Sequence, residues 1–189
     1  MARRPAYRPQ RRRIFVACEG ASEVGYVALN RLIAEEAGLQ VHLDIHDCCG
    51  GDPLAIVESA ARMHNLRRAK RGAYVARSIF LDADRHGHQP DRSARAGRLI
   101  RKHGFHVVWS RPVLEALLLR HFPETERLQP ATSDLAFEAL IGRWPDYRKG
   151  MAAMELRDRL DAAAVARAAD AEPALRTFLD LIDPGFLRA

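Results

Sequence analysis

Cysteine is scarce in this chain: three residues in 189, two of them adjacent. Cys18, Cys48 and Cys49 form no C-x-x-C spacing, and their number is odd. A disulfide framework and a cysteine-built zinc site are both disfavoured, and the three read as free thiols packed as small apolar residues. Long apolar runs are missing too. None approaches the roughly 20 residues that cross a bilayer. The opening, "MARRPAYRPQRRRIFVACEG", has an apolar run too short for a secretory signal and no A-x-A-like cleavage site. These features predict a cytoplasmic protein with no membrane partner. Phosphate-cradling glycine loops are absent as well. After the first apolar run the chain reads "EGASEVG", with a glutamate where such a loop would meet phosphate, and neither G-x-G-x-x-G nor a P-loop occurs.

What remains is globular in composition, with 48% hydrophobic, 29% charged and 7% aromatic residues. The length suits one compact domain with a small helical appendage. Thirty basic against 24 acidic residues give a net charge of +6. That sign favours a polyanionic partner such as nucleic acid. The excess gathers in an arginine-rich tail (Arg3, Arg4, Arg8, Arg11, Arg12, Arg13), in "LRRAKR" at 66–71 and in "RLIRKH" at 98–103. A solvated face explains the last two clusters equally well.

The pattern alternates. "RIFVAC" at 13–18 is a short buried strand. A helix follows, capped by Ser22 and ended by Gly38, with Val24, Val27, Ile33 and Ala37 near one face. "VHLDIHD" alternates Val41, Leu43 and Ile45 with His42, Asp44 and His46, which predicts a half-exposed strand near a sheet edge. Asp52 and Pro53 begin a second helix as N-cap and first helical residue. "AYVARSIFLDAD" is a third strand, "SARAGRLIRKHG" a third helix and "FHVVWS" a fourth strand. Four strands alternating with helices predict an α/β fold with a mostly parallel sheet flanked by helices. From "VLEALLLRHF" onward every segment reads as helix. The expected organisation is a basic tail at 1–12, an α/β core at 13–125 and a helical region at 126–189 packed on that core.

In a parallel sheet the C-terminal strand ends open on one edge, where ligands bind. Glu19 and Gly20 follow the first strand there, and Asp82 and Asp84 close the third. Strand alternation predicts Asp82 and Asp84 on one side with Ala83 pointing away. Clustered carboxylates raise one another's pKa, and a divalent cation relieves the conflict. Hard oxygen donors suit Mg²⁺ or Mn²⁺. The arrangement therefore predicts a metal-dependent phosphoryl-transfer site. Glu23 lies one helical turn after Glu19, and Glu115 lies where the fourth strand gives way to helix. Glu115 at a helix start is also simply favourable electrostatics. Zinc on His86 and His88 is disfavoured, because no second ligand cluster accompanies them. Arg85 and the histidines can instead meet a phosphate, as can Tyr147 and Lys149. Tyr26 and His121 are read as structural, with His121 placed as a cation near a helix C-terminus.

These residues resemble a known family. An acid followed by glycine after the first strand, then D-x-D after a later one, is similar to the TOPRIM signature of topoisomerases, primases and OLD-type nucleases. More narrowly, "CEGASEVGYV" at 18–27, "FLDAD" at 80–84, "SRPVLEALLLRHF" at 110–122 and "YRKG" at 147–150 together resemble the RloB-like family. Four positions depart from its usual pattern: Ser22, Arg111, Leu114 and Leu117. None removes a carboxylate. The resemblance implies a TOPRIM-like fold over about residues 13–150, association with bacterial restriction and phage defence, and a Mg²⁺- or Mn²⁺-dependent nuclease acting on DNA or RNA. It implies Glu19 as acid/base or metal-organising carboxylate and Asp82 and Asp84 as the metal pair, with Glu23 and Glu115 beside them. Arg85, His86, Tyr147 and Lys149 would hold substrate. It leaves room for a partner defence protein such as an ATPase. The alternative is a module that binds nucleic acid or a partner without cutting.

Overall fold

The computed structural model describes residues 11–186. Most of the expected basic tail, including Arg3, Arg4 and Arg8, lies outside the described residues. The chain runs β1 (Arg12–Cys18), α1 (Ala21–Glu36), β2 (Val41–Asp47), α2 (Pro53–Arg71), β3 (Ala76–Asp82), α3 (Pro90–His103) and β4 (His106–Ser110). Then come α4 (Leu114–Leu119), α5 (Ser133–Arg143), α6 (Ala153–Arg157), α7 (Ala162–Ala171) and α8 (Pro173–Ile182). Every strand pairing is parallel, in the order β2-β1-β3-β4. The predicted α/β fold with a helical C-terminal part is what forms, and β2 is an edge strand.

β1 is central, and Ile14 to Cys18 are fully buried. Its alternation serves two cores. Ile14, Val16 and Cys18 face α1 and the C-terminal helices, while Phe15 and Ala17 face α2 and α3. The same division runs through β3, with Phe80 on one side and Ile79 and Leu81 on the other. Phe178 of α8 stacks edge-on against Phe80, ring centroids 4.9 Å apart. The C-terminal helices thus share the core that β1 and β3 build, and α1 is covered by them.

Several local expectations change. Gly20, not Ser22, is the N-cap of α1. Glu23 takes the capping role, its Oε2 accepting the Gly20 N–H at 3.0 Å. Ser22 Oγ instead accepts the Gly150 N–H at 3.0 Å. Asp52 and Pro53 begin α2 as predicted, with Asp52 Oδ1 accepting the Leu54 N–H at 3.0 Å. α4 stops at Leu119 rather than running to Phe122, because Thr125 Oγ1 donates to the Leu119 carbonyl at 2.6 Å and ties off that end. His121 is not a cation. It is 1% exposed, and burial pushes it down to about 4. Its neutral ring bridges the Leu117 carbonyl and the Tyr26 hydroxyl. Asp44, placed toward solvent by alternation, is 6% exposed and held by arginines.

Candidate functional site

β1 leads into α1 on one face of the sheet, and β3 leads into α3 on the other. Between such neighbours the following helices part, and a crevice opens at the strands' C-terminal ends. Cys18 pairs with Phe80 in the β1–β3 register. Glu19 and Asp82 therefore arrive at the crevice together. The Asp82 backbone N–H donates to Glu19 Oε2 at 2.9 Å across 63 residues of sequence. Strand geometry alone accounts for this hydrogen bond.

Two further acids close in. Glu23, in the first turn of α1, is 5% exposed, and Glu115, in the first turn of α4, is 2% exposed. The Tyr147 hydroxyl donates to Glu115 Oε1 at 2.9 Å, and Lys149 Nζ lies 3.7 Å from the same oxygen. Both belong to the segment between α5 and α6. That segment can lie so close because residue 25 is glycine. A Cβ there would run into the Met151 carbonyl oxygen. A helix-interior glycine is the one sequence signal of this approach, and it carries no hint of the partner. The result is a cleft of about 300 Å³ lined by Ser22, Glu23, Asp82, Glu115, Lys149 and Gly150.

The charge balance is one-sided. Burial raises Asp82 to about 9, helped by Glu23, Glu19, Asp84 and Glu115. Burial likewise lifts Glu23 to about 7, against the hydrogen bond from Gly20 and with Glu19 and Glu115 adding to it. Glu19 is raised by burial, with the Asp82 N–H working the other way. Asp82 Oδ1 is buried and has no hydrogen-bond partner. A buried polar atom without a partner is destabilising by about 1–3 kcal/mol. Tyr147, raised by burial and by Glu115, stays protonated and keeps donating.

The other sequence-predicted residues fall at the rim or away from it. β3 ends at Asp82 and the chain turns, so Asp84 does not continue the strand's alternation. The Ala83 N–H is held by the Ser110 and Pro112 carbonyls, both at 2.9 Å, and the Asp84 N–H by Pro112 at 3.1 Å. Asp84 is exposed and lines a neighbouring cleft of about 370 Å³ with Arg85, His88 and Arg92. Arg85 donates to the Gly51 carbonyl at 3.4 Å. His86 packs against Trp109 with the rings tilted, centroids 4.7 Å apart. Tyr147 is buried against Glu115, whereas Lys149 is exposed at the wall of the same cleft. Among the described residues, no three His, Cys, Asp or Glu side chains are gathered as they stand into a cage for an ion. The donors fit a hard divalent cation in kind, and Asp82 Oδ1 is a fully buried oxygen among them without a hydrogen-bond partner.

Fold and site define an α/β protein with an all-parallel four-stranded sheet and four neighbouring carboxylates, Glu19, Glu23, Asp82 and Glu115, at its topological switch point. The chain belongs to the RloB-like protein family, whose model matches residues 14–177. No curated protein and no solved structure matches it. No helix among the described residues is long and apolar enough to cross a membrane.

Proposed function

We propose that this protein is a Mg²⁺- or Mn²⁺-dependent nuclease that hydrolyses phosphodiester bonds of DNA or RNA, in the service of bacterial phage defence. The observation that carries the reading is Asp82: a half-buried carboxyl with one buried, unpartnered oxygen, raised to about 9 by burial and by the acids around it. Asp82 and Glu19 would hold the cation, with Asp84 at the rim. A bound divalent ion there supplies charge to polarise a phosphate oxygen and acidify water.

The chain's own residues do the rest. The Asp82 N–H fixes the Glu19 carboxylate. Glu23 Oε2 is occupied by the Gly20 N–H, so Oε1 is the atom left to carry a proton. A carboxyl near 7 suits a general acid or base at neutral pH. Lys149 is exposed at the cleft wall and offers a point charge to a phosphate. A module that binds without cutting is the second reading. It is favoured by the ties of Tyr147 and Lys149 to Glu115, and by acids that are not gathered around a single point.

The test pairs a binding measurement with a cleavage assay. Mn²⁺ titrated calorimetrically at pH 7 binds the wild-type protein and releases protons, and Asp82→Asn loses both signals. Asp82→Ala abolishes cation-dependent cleavage of labelled DNA or RNA. Equal Mn²⁺ binding by wild type and Asp82→Asn overturns the metal site. Mn²⁺ binding without cleavage of any substrate selects the second reading.

A further inference from the structure

The two basic clusters at 66–71 and 98–103 take no part in the carboxylate site, and the fold brings them together. β2 crosses over β1 to reach β3, and β3 steps on to β4 in the same direction, so α2 and α3 cover one face of the sheet. Both run back from the carboxylate edge, so their C-terminal ends lie side by side at the opposite edge. Arg62, Arg68, Lys70, Arg98, Arg101 and Lys102 are exposed, and none has a carboxylate within salt-bridge distance among the described residues. The acids exposed on these helices, Glu58 and Asp91, stand in the halves nearer the carboxylate edge, and Glu58 is answered by Arg95 at 3.7 Å.

Helix dipoles favour a cation or two in each last turn, which accounts for Lys70, Arg101 and Lys102. They do not account for Arg62 and Arg98, which lie further back. The fold does not need these side chains either, since Ala96 is the fully covered residue of α3.

We infer that the outer face of α2 and α3 is a docking surface for a nucleic-acid duplex, gripped through its phosphates. Two parallel rows of cations on helices packed roughly 8–10 Å apart meet a broad backbone rather than one strand. No exposed aromatic ring stands on either helix, so the stacking platforms that hold single strands are missing. α2 is 19 residues long, about 28 Å, so the same duplex can run from the patch toward the carboxylate edge. The inference goes beyond the nuclease reading and holds whether or not the acids cut.

The test is fluorescence anisotropy of a labelled 30-base-pair DNA duplex with the full chain in EDTA, at 50 and 200 mM salt. The triple variant Arg98→Ala, Arg101→Ala, Lys102→Ala binds at least tenfold more weakly than wild type. Its log–log salt slope is shallower by about 0.9 for each phosphate it no longer neutralises. A charge-matched variant elsewhere, Arg127→Ala, Arg143→Ala, Arg159→Ala, binds within about twofold of wild type. Circular dichroism melting confirms that both variants fold. Equal weakening by the two variants, absence of duplex binding by wild type, or tighter binding of the single strand overturns the inference. Anisotropy is read in EDTA and cleavage in Mn²⁺, so loss of the nuclease reading and loss of the docking surface give different results.

Discussion

Asp44 and Asp82 sit on strands of one sheet, with β1 between them, and end in opposite electrical states. Asp44 is surrounded by cations: Arg67 at 2.6 Å, Arg13 at 3.4 Å and Arg71 at 3.8 Å, with the Tyr74 hydroxyl donating as well. Burial raises its carboxyl, but Tyr74 and the arginines outweigh burial and hold it below the usual range. Asp82 meets acids where Asp44 meets arginines, and it lies far above that range. One aspartate fastens β2 to the end of α2 and to the loop before β3. The other is left uncompensated at the ligand edge. A fold that can assemble three arginines around one acid has the means to neutralise another, so the contrast points to Asp82 as a site for something the chain does not itself provide.

The largest expected effect lies on the compensated side. Asp44→Ala strands Arg67 and Tyr74 partly buried and destabilises the protein by about 3 kcal/mol, read from urea midpoints. A loss below about 1 kcal/mol would erase the distinction between the two acids. Next comes Asp82→Asn, which removes a carboxyl that the fold keeps protonated at a pH where the unfolded chain ionises it. It raises stability of the cation-free protein at pH 8 by about 1–2 kcal/mol, or roughly 2–6 °C in Tm. A lower Tm for this variant would mark Asp82 as structural.

The two acids also tilt the pH profile in opposite directions. Asp44, lowered in the fold, contributes stability that is present above about pH 4 and lost as pH falls below it. Glu23 and Asp82, raised to about 7 and about 9, make the folded state the better proton binder from about pH 4 upward. Their contribution is full at the acid end and is lost as pH rises through those values. Thermal melts without divalent cation therefore decline from pH 6 to 9, and Mn²⁺ flattens the decline in wild type but not in Asp82→Asn. The smallest effect belongs to Tyr147→Phe, which takes one hydrogen bond from Glu115 at about 1 kcal/mol. It leaves Glu115 Oε1 with only Lys149 beside it, at 3.7 Å. An unchanged Tm would separate Tyr147 from the acid cluster.

Much of this was legible because alternation and strand ends are local signals. Apolar runs bounded by glycine and acids located the four strands, and parallel connection then forced Glu19 and Asp82 to one edge. Asp44 was misplaced because alternation assigns a side and not a neighbour; arginines from β1 and α2 cover the side that the pattern leaves to water. The Tyr147–Glu115 bond had no local signal either. It depends on the close approach of α1 to Met151, which only the assembled chain defines. Asp84 left the predicted side because the Ser110 and Pro112 carbonyls capture the backbone of Ala83 and Asp84 and the strand ends two residues early, at Asp82.

The close approach at Gly25 also has a consequence in time. During synthesis Glu19, Asp82 and Glu115 emerge well before the segment that seals their mouth. Until Met151 has left the ribosome, nothing rests on the bare backbone of α1, and Glu115 has neither tyrosine nor lysine beside it. The partners of Glu115 and the cover over Gly25 thus arrive late, with the last third of the polypeptide.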